Sequence, residues 1–264
     1  MTRIRALIAK ELQDVARNLG TLIPVLIATL VLLVLPFVIA VLVPSMTGQS
    51  LGDDADLVKA SQVVGPGAAL STNGRVQLFL FQQFLMLFLL VPITGAMALA
   101  AHAIVGEKQA RTLEPLLATP LTTFELLVAK VIGALLPTLA ISLVGLGLYV
   151  SIVAAAAEPG VMPAMVNART VVLILGVAPT CALVALQFAI LISSRVNDAR
   201  TAQQFGVVII LPLSGLLVAQ FTGSFWLSAS MLGALALVFL GVWLLLAAIS
   251  VVVFDREQIL TRWR

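Results

Sequence analysis

Five long stretches of this sequence carry no charged side chain: residues 18–52, 76–106, 131–157, 170–194 and 201–254, of 35, 31, 27, 25 and 54 residues. A helix crosses a hydrocarbon layer with about 20 residues, so each of the first four fits one crossing. The fifth accommodates two. Its middle, Gln220-Phe221-Thr222-Gly223-Ser224-Phe225-Trp226, supplies turn formers and an interfacial aromatic. The runs are continuously apolar and lack the alternation of a membrane β-barrel. The pattern therefore predicts an all-α integral membrane protein, one domain over 1–264, with six transmembrane helices at 19–43, 77–101, 131–156, 170–193, 203–220 and 228–253. Two longer connections, 44–76 and 102–130, fall on opposite sides. Ahead of the first span, Ile4, Leu7, Ile8, Leu12 and Val15 recur at helical spacing, with Arg3, Lys10, Glu11, Asp14 and Arg17 at the other positions. That predicts an amphipathic helix over 1–18 lying along the membrane interface. A cleavable signal is not expected: the leader contains Glu11 and Asp14, the apolar run after it is too long, and no small-residue cleavage site follows.

Composition agrees with this reading. The chain is 61% hydrophobic and 10% charged, against about 25% charged in an ordinary soluble domain. A water-soluble globule and a disordered chain are excluded together, and the single Cys181, expected to be a buried small hydrophobe, excludes a disulfide-built fold. The net charge of +3 does not point to nucleic acid, because the basic residues sit at the ends of apolar runs instead of forming a patch. They act as topology signals. With both termini on one side, that side holds Arg3, Arg5, Lys10, Arg17, Lys108, Arg111, Lys130, Arg195, Arg200, Arg256, Arg262 and Arg264, and the other holds Lys59, Arg75 and Arg169. The positive-inside rule then makes both termini and the 102–130 loop cytoplasmic and the 44–76 loop external. Within the external loop a short helix is expected at Ala55 to Val64. Tyr149 and Trp226 are expected at the outer interface and Trp263 at the inner one.

The spans lack the groups that drive ion-coupled transport: no Asp, Glu, Lys or Arg falls at mid-depth, and the only His, His102, lies at the inner end of the second span. There is no G-x-x-x-x-G-K-[ST], no H-E-x-x-H and no intramembrane acidic pair. No catalytic constellation is present, so an enzyme is not expected and nucleotide chemistry must sit on a partner. The spans contain Pro24, Pro36, Pro92, Pro137, Pro179 and Pro212, each able to kink its helix. Their polar side chains, Gln82, Gln83, Thr94, Thr138, Ser142, Thr180 and Gln187, are candidates either for linking helices or for lining a substrate pathway.

The most informative segment joins the second and third spans. Glu107, Arg111 and Glu114 are spaced i, i+4, i+7, which on a helix sets an Arg between two carboxylates, with Leu113, Leu116 and Leu117 as an apolar side. Thr119-Pro120 then breaks the chain, and Thr122-x-x-Glu125 fits a capping box opening a helix that enters the bilayer at Lys130.

The run Gly-Glu-Lys-x-x-Arg-Thr-Leu-Glu-Pro-Leu-Leu-Ala-Thr-Pro-Leu-Thr-x-x-Glu-Leu-Leu at 106–127 resembles the signature loop of ABC transporter permeases of the type-2 exporter class. The six-span layout, the amphipathic N-terminal helix and the end Phe254-Asp-Arg-Glu-Gln-Ile-Leu-Thr-Arg-Trp263 extend the resemblance over the whole chain, the tail being similar to the sodium-extrusion and multidrug-like branch. The resemblance implies a multi-pass permease of a prokaryotic cell membrane, paired with a second permease subunit, identical or homologous, and with two copies of an ABC-type ATP-binding subunit that carry ATP and magnesium. It implies no cofactor on this chain. It further implies that Gly106, Glu107, Lys108, Arg111, Thr112, Leu113, Glu114, Thr119 and Pro120 lie in or beside the coupling interface with the ATPase. One departure is expected: the connection between the last two spans leaves little room for the family's broken re-entrant helices. The competing readings are a non-transporting membrane scaffold or immunity component that binds an ATPase-like partner, and an ion-driven carrier or channel.

Overall fold

The computed structural model describes residues 2–64, 70–111, 122–196, 198–222 and 225–253. Among these residues every regular element is helical. An amphipathic helix α1 (Thr2–Arg17) leads into α2 (Leu19–Thr47). The short α3 (Ala55–Ser61), with a 3-10 turn at Gln62–Val64, lies where the sequence predicted a helix in the long connection. Next come α4 (Thr72–Leu87) and α5 (Leu90–Gln109), which form one bent rod, then α6 (Thr123–Ala156), the short α7 (Val161–Met165) and α8 (Ala168–Arg195). The short α9 (Ala199–Gln204), α10 (Val207–Phe221) and α11 (Ala229–Val253) complete the described chain. Five units are long and apolar enough to cross a membrane: α2, the α4–α5 rod, α6, α8 and α11. Helix α10, over the expected fifth crossing, has 15 residues and so rises about 22 Å, short of a hydrocarbon core of about 30 Å. Residues 225–228, in the connection from α10 to α11, are not helical.

The α4–α5 rod is the axis of the molecule. Every residue from Val76 to Met86 is buried, Gln77, Gln82 and Gln83 included, so this helix is enclosed by others on every side. Helices α2, α6 and α8 pack around α5, α11 packs on α8, and α10 leans on α4. The outer faces of α2, α6 and α11 expose Leu26, Leu30, Val144, Leu148, Leu237 and Leu244. In water such faces would be prohibitive, whereas against acyl chains they are at rest.

Prolines coincide with the irregularities. The rod breaks at Phe88 and Leu89, just ahead of Pro92. Helices α2 and α8 each widen into a π turn, at Val38–Leu42 and Leu173–Val177, just before Pro44 and Pro179. A proline cannot donate to the carbonyl four residues earlier. For Pro44 that carbonyl belongs to Ala40, and it accepts instead from Gln77 Nε2 at 3.3 Å. The same Gln77 accepts from the Glu158 backbone N–H at 2.9 Å. The Glu158 carboxylate in turn accepts from Asn73 and Ser71 at the start of α4, and these bonds hold its pKa below the ordinary glutamate value. One placement differs from expectation. Tyr149 is 2% exposed and donates to the Phe81 carbonyl at 2.7 Å. It is a core residue of the α4–α6 contact, not an interface anchor, because its hydroxyl finds a protein acceptor inside the bundle.

Candidate functional site

The connection between α5 and α6 leaves and returns through a knot of buried charge. Helix α5 ends at Gln109, and Arg111 takes a left-handed conformation at φ 55°, exposed to solvent. That turn stops the helix, so Glu107 and Arg111 do not share the continuous helical face that their spacing suggested. Glu107 turns inward instead. It is 8% exposed, and Lys130, at the return into α6, is 1% exposed with its Nζ 2.7 Å from Glu107 Oε2. Lys130 also donates to Glu11 Oε1 at 3.2 Å and to the Ala103 carbonyl at 2.9 Å. Lys10 bonds the other oxygen of Glu107 and lies 3.5 Å from Glu11 and 3.3 Å from Asp14. Two lysines and two buried carboxylates thus tie α1, the end of α5 and the start of α6 into one point.

Each element delivers its charge for a local reason. In α1 the buried stripe is Leu7, Glu11 and Val15, one turn apart, so Glu11 stands in the apolar seam rather than on the polar face where the sequence put it. Gly133 makes room for it: a Cβ there would stand 2.5 Å from Glu11 Cβ, an impossible contact. Helix α6 opens with the expected capping box, Glu125 N–H donating to Thr122 Oγ1 at 3.1 Å and Thr122 N–H to Glu125 Oε2 at 2.8 Å. Half-exposed Lys10 loses some basicity to burial but gains more from Glu107, Glu11 and Asp14, and its pKa rises above the ordinary lysine value. A raised lysine pKa gives stability that is complete below the unfolded value of about 10.4 and fades only above it, so Lys10 stays charged through the neutral range.

Next to Glu107, Lys108 points the other way. Its Nζ donates to the carbonyls of Ser193, Ser194 and Val196 at 2.7, 2.9 and 3.0 Å. These are the end carbonyls of α8 that no helical N–H reaches, and a cation is the favoured group there. Beside the knot, α1 and α5 enclose an open cavity of about 1020 Å³ bordered by Lys10, Asp14, Asn18, His102, Gly106 and Glu107. The Asn18 side chain caps α2 by accepting from Thr21 N–H at 3.2 Å, and its amide nitrogen meets His102 Nε2.

A second polar cluster lies at the other end of the bundle. Arg169, near the start of α8, is 7% exposed. Its Nε donates to the Leu227 carbonyl at 2.9 Å and its terminal nitrogens to Gln82 Oε1 at 3.2 Å and Gln220 Oε1 at 2.8 Å. Trp226 covers the guanidinium face at 3.9 Å.

A family model described as ABC-2 family transporter protein matches residues 5–227 of this chain. The chain belongs to the ABC-2 transporter family. A search of the curated proteins finds no match to it. As an ABC-2 membrane protein it is a multi-pass integral membrane protein of a transporter class that works with a separate ATP-binding subunit.

Of the residues assigned to coupling in this ABC-2 protein, Gly106, Glu107 and Lys108 occupy the last turns of α5, and Gly106 lies against the His102 ring. Arg111 is exposed just beyond the helix. Thr112, Leu113, Glu114, Thr119 and Pro120 lie outside the described residues, as does the 254–263 tail. Of the pathway candidates, Thr94, Thr138, Ser142 and Thr180 each bond a carbonyl one turn back in their own helix, at 2.7 to 2.9 Å. Gln187 donates to Ser250 Oγ at 2.6 Å, joining α8 to α11. Gln82 belongs to the Arg169 cluster, and Gln83 is fully buried with neither amide atom hydrogen-bonded. Ser142 borders a small apolar cavity with Phe88, Pro92, Leu146 and Pro179, between the bend of the rod and the π turn of α8. Sequence reasoning missed Lys10, Glu11, Lys130, Arg169 and Gln220 as members of built clusters. One signal was available: Glu11 falls four residues from both Leu7 and Val15.

Proposed function

We propose that this chain is the membrane-spanning subunit of an ATP-driven ABC exporter, coupled to its ATPase through the 106–127 loop. The observation that carries this reading is the knot at the root of that loop: Glu107 Oε2 on its outgoing limb and Lys130 Nζ on its returning limb meet at 2.7 Å and are locked to α1. Lys108 adds α8. A displacement imposed on the loop would reach α1, α5, α6 and α8 together, so a partner that contacts the loop differently in its nucleotide states can bias the whole bundle. In this reading α10 serves as the fifth of six crossings, shortened and matched by local thinning of the bilayer. The bias of basic residues puts both termini and the loop in the cytoplasm. Two such subunits, or this one and a homologue, would work with two ATP-binding subunits, which hold the nucleotide and magnesium. The similarity of the tail favours the sodium-extrusion and multidrug-like branch.

The test is co-reconstitution of the chain with its ATPase in vesicles. Glu107→Gln should leave membrane insertion and ATPase recovery intact while reducing ATP-driven transport about tenfold or more, because the charge that binds both Lys10 and Lys130 is lost and only one acceptor oxygen remains. Wild-type transport by that variant would overturn coupling through the knot, and uphill transport by the chain without an ATPase would overturn the exporter reading itself. Recovery of the ATPase with no transport of any solute by the wild-type complex would instead identify a scaffold.

A further inference from the structure

The Arg169 cluster is short of two things at once, acceptors and negative charge. No carboxylate stands within 4 Å of Arg169 among the described residues, and its three hydrogen bonds all go to neutral oxygens. A guanidinium carries more N–H donors than those contacts use. The Gln82 amide that accepts from it is 1% exposed, and the Nε2 of that same amide is buried without an acceptor. The adjoining Thr170 hydroxyl is likewise unpartnered. A buried lone cation is costly, and an intramembrane protein retains one where it has a use. If the cluster served only to tie α4, α8, α10 and the 225–228 segment together, neutral amides would do so without the cost of an unpaired charge, and the spare donors would have no purpose. A trapped water would meet the donors but not the charge. One oxyanion meets both. The cluster is roofed by Trp226, which also stacks on Phe79 at 6.1 Å, and the flanking Phe221 and Phe225 are exposed apolar rings.

We propose that Arg169 and Gln82 form a binding site for the carboxylate or phosphoryl group of an anionic amphiphile, at the end of the bundle opposite the 106–127 loop, with Trp226 as its cover. The guanidinium and the free Gln82 N–H groups donate to the anion, and Phe221 and Phe225 meet its apolar body. Binding needs neither nucleotide nor an ATPase, so it stands apart from the coupling reading and is measured on the full chain alone.

The probe is dodecyl phosphate, titrated into the chain in a non-ionic detergent, with Trp243→Phe and Trp263→Phe leaving Trp226 as the reporter. A saturable change in Trp226 fluorescence is expected, absent with dodecyltrimethylammonium and weakened about tenfold or more by Arg169→Gln, the loss of a charge-assisted hydrogen bond. Gln82→Glu supplies the missing counter-charge internally, so it should abolish the response and raise the unfolding midpoint. That variant keeps the test decisive if Arg169→Gln fails to fold. Nanodiscs separate two sources of the ligand: a response suppressed by phosphatidylglycerol identifies a resident lipid head group, and an undiminished response identifies a free amphiphile. An equal response to the cationic detergent, an unchanged affinity in Arg169→Gln, or a Gln82→Glu variant that binds normally and is less stable would overturn the proposal.

Discussion

Glu11, Lys130 and Glu107 show how far a residue's role departs from its type. On a list of charges they are polar-face or topology residues, yet in the fold they are 3%, 1% and 8% exposed and depend on one another. Removing one member of such a group leaves a buried charge without its partner, which costs about 3–5 kcal/mol, more than the intact pair contributes over an apolar substitute. Lys130→Met should therefore lower the thermal unfolding midpoint sharply. Lys130→Met combined with Glu11→Gln should recover part of the loss, since Lys10 still serves Glu107. A double variant no more stable than the single one, by fluorescence-detected unfolding in detergent, would mean the three charges act independently. The chain placed these residues near one another only in the sense that Glu11 interrupts an apolar stripe. Which lysine it meets, 119 positions away, is a matter of how α1 crosses α6.

Among the elements, the ends and bends were legible and the crossings were not. The capping box at Thr122 and Glu125, the helix at Ala55, and the irregularities near Pro92 and Pro179 follow from local rules, a side-chain oxygen for an orphan N–H or a missing donor at proline, whereas Pro24, Pro137 and Pro212 stand inside unbroken helices. The close approach of α1 to α6 rests on Gly133, a residue whose spacing carries no signal of its own. Gly133→Ala should push α1 off α6 and open the knot. The expected result is lower thermal stability and faster proteolysis in α1, with membrane insertion unchanged; protection equal to wild type would show that the backbone yields without losing the contact. The expected helical face shared by Glu107 and Arg111 failed for a local reason too, while Glu114 lies outside the described residues. Arg111 leaves the helix through a left-handed turn, a choice the periodicity of side chains does not encode.

At the scale of the whole molecule, two polar clusters sit at opposite ends of an apolar bundle. Lys108 caps α8 at the loop end, and Arg169, in the first turn of α8, bonds Gln82, Gln220 and Leu227 at the other, so one helix spans both clusters. On the proposed function, docking of the ATPase should slow amide exchange in 102–130 and in α1 together, because the knot makes them one mechanical unit. Protection confined to the loop, with α1 unchanged by hydrogen–deuterium exchange, would show that the knot relays nothing.

Hydrophobic pattern alone determined that this is a helical membrane protein and roughly where its spans lie. Those properties depend on transfer from water to lipid and on local backbone chemistry, both of which are additive along a chain. Tertiary structure decided which charges are buried, which carbonyl Gln77 rescues, that Tyr149 is core, and that Arg169 bonds only neutral oxygens among the described residues. The energy of a buried charge depends on what lies within a few ångströms of it, and residues such as Glu11 and Lys130 become neighbours only once the helices have packed.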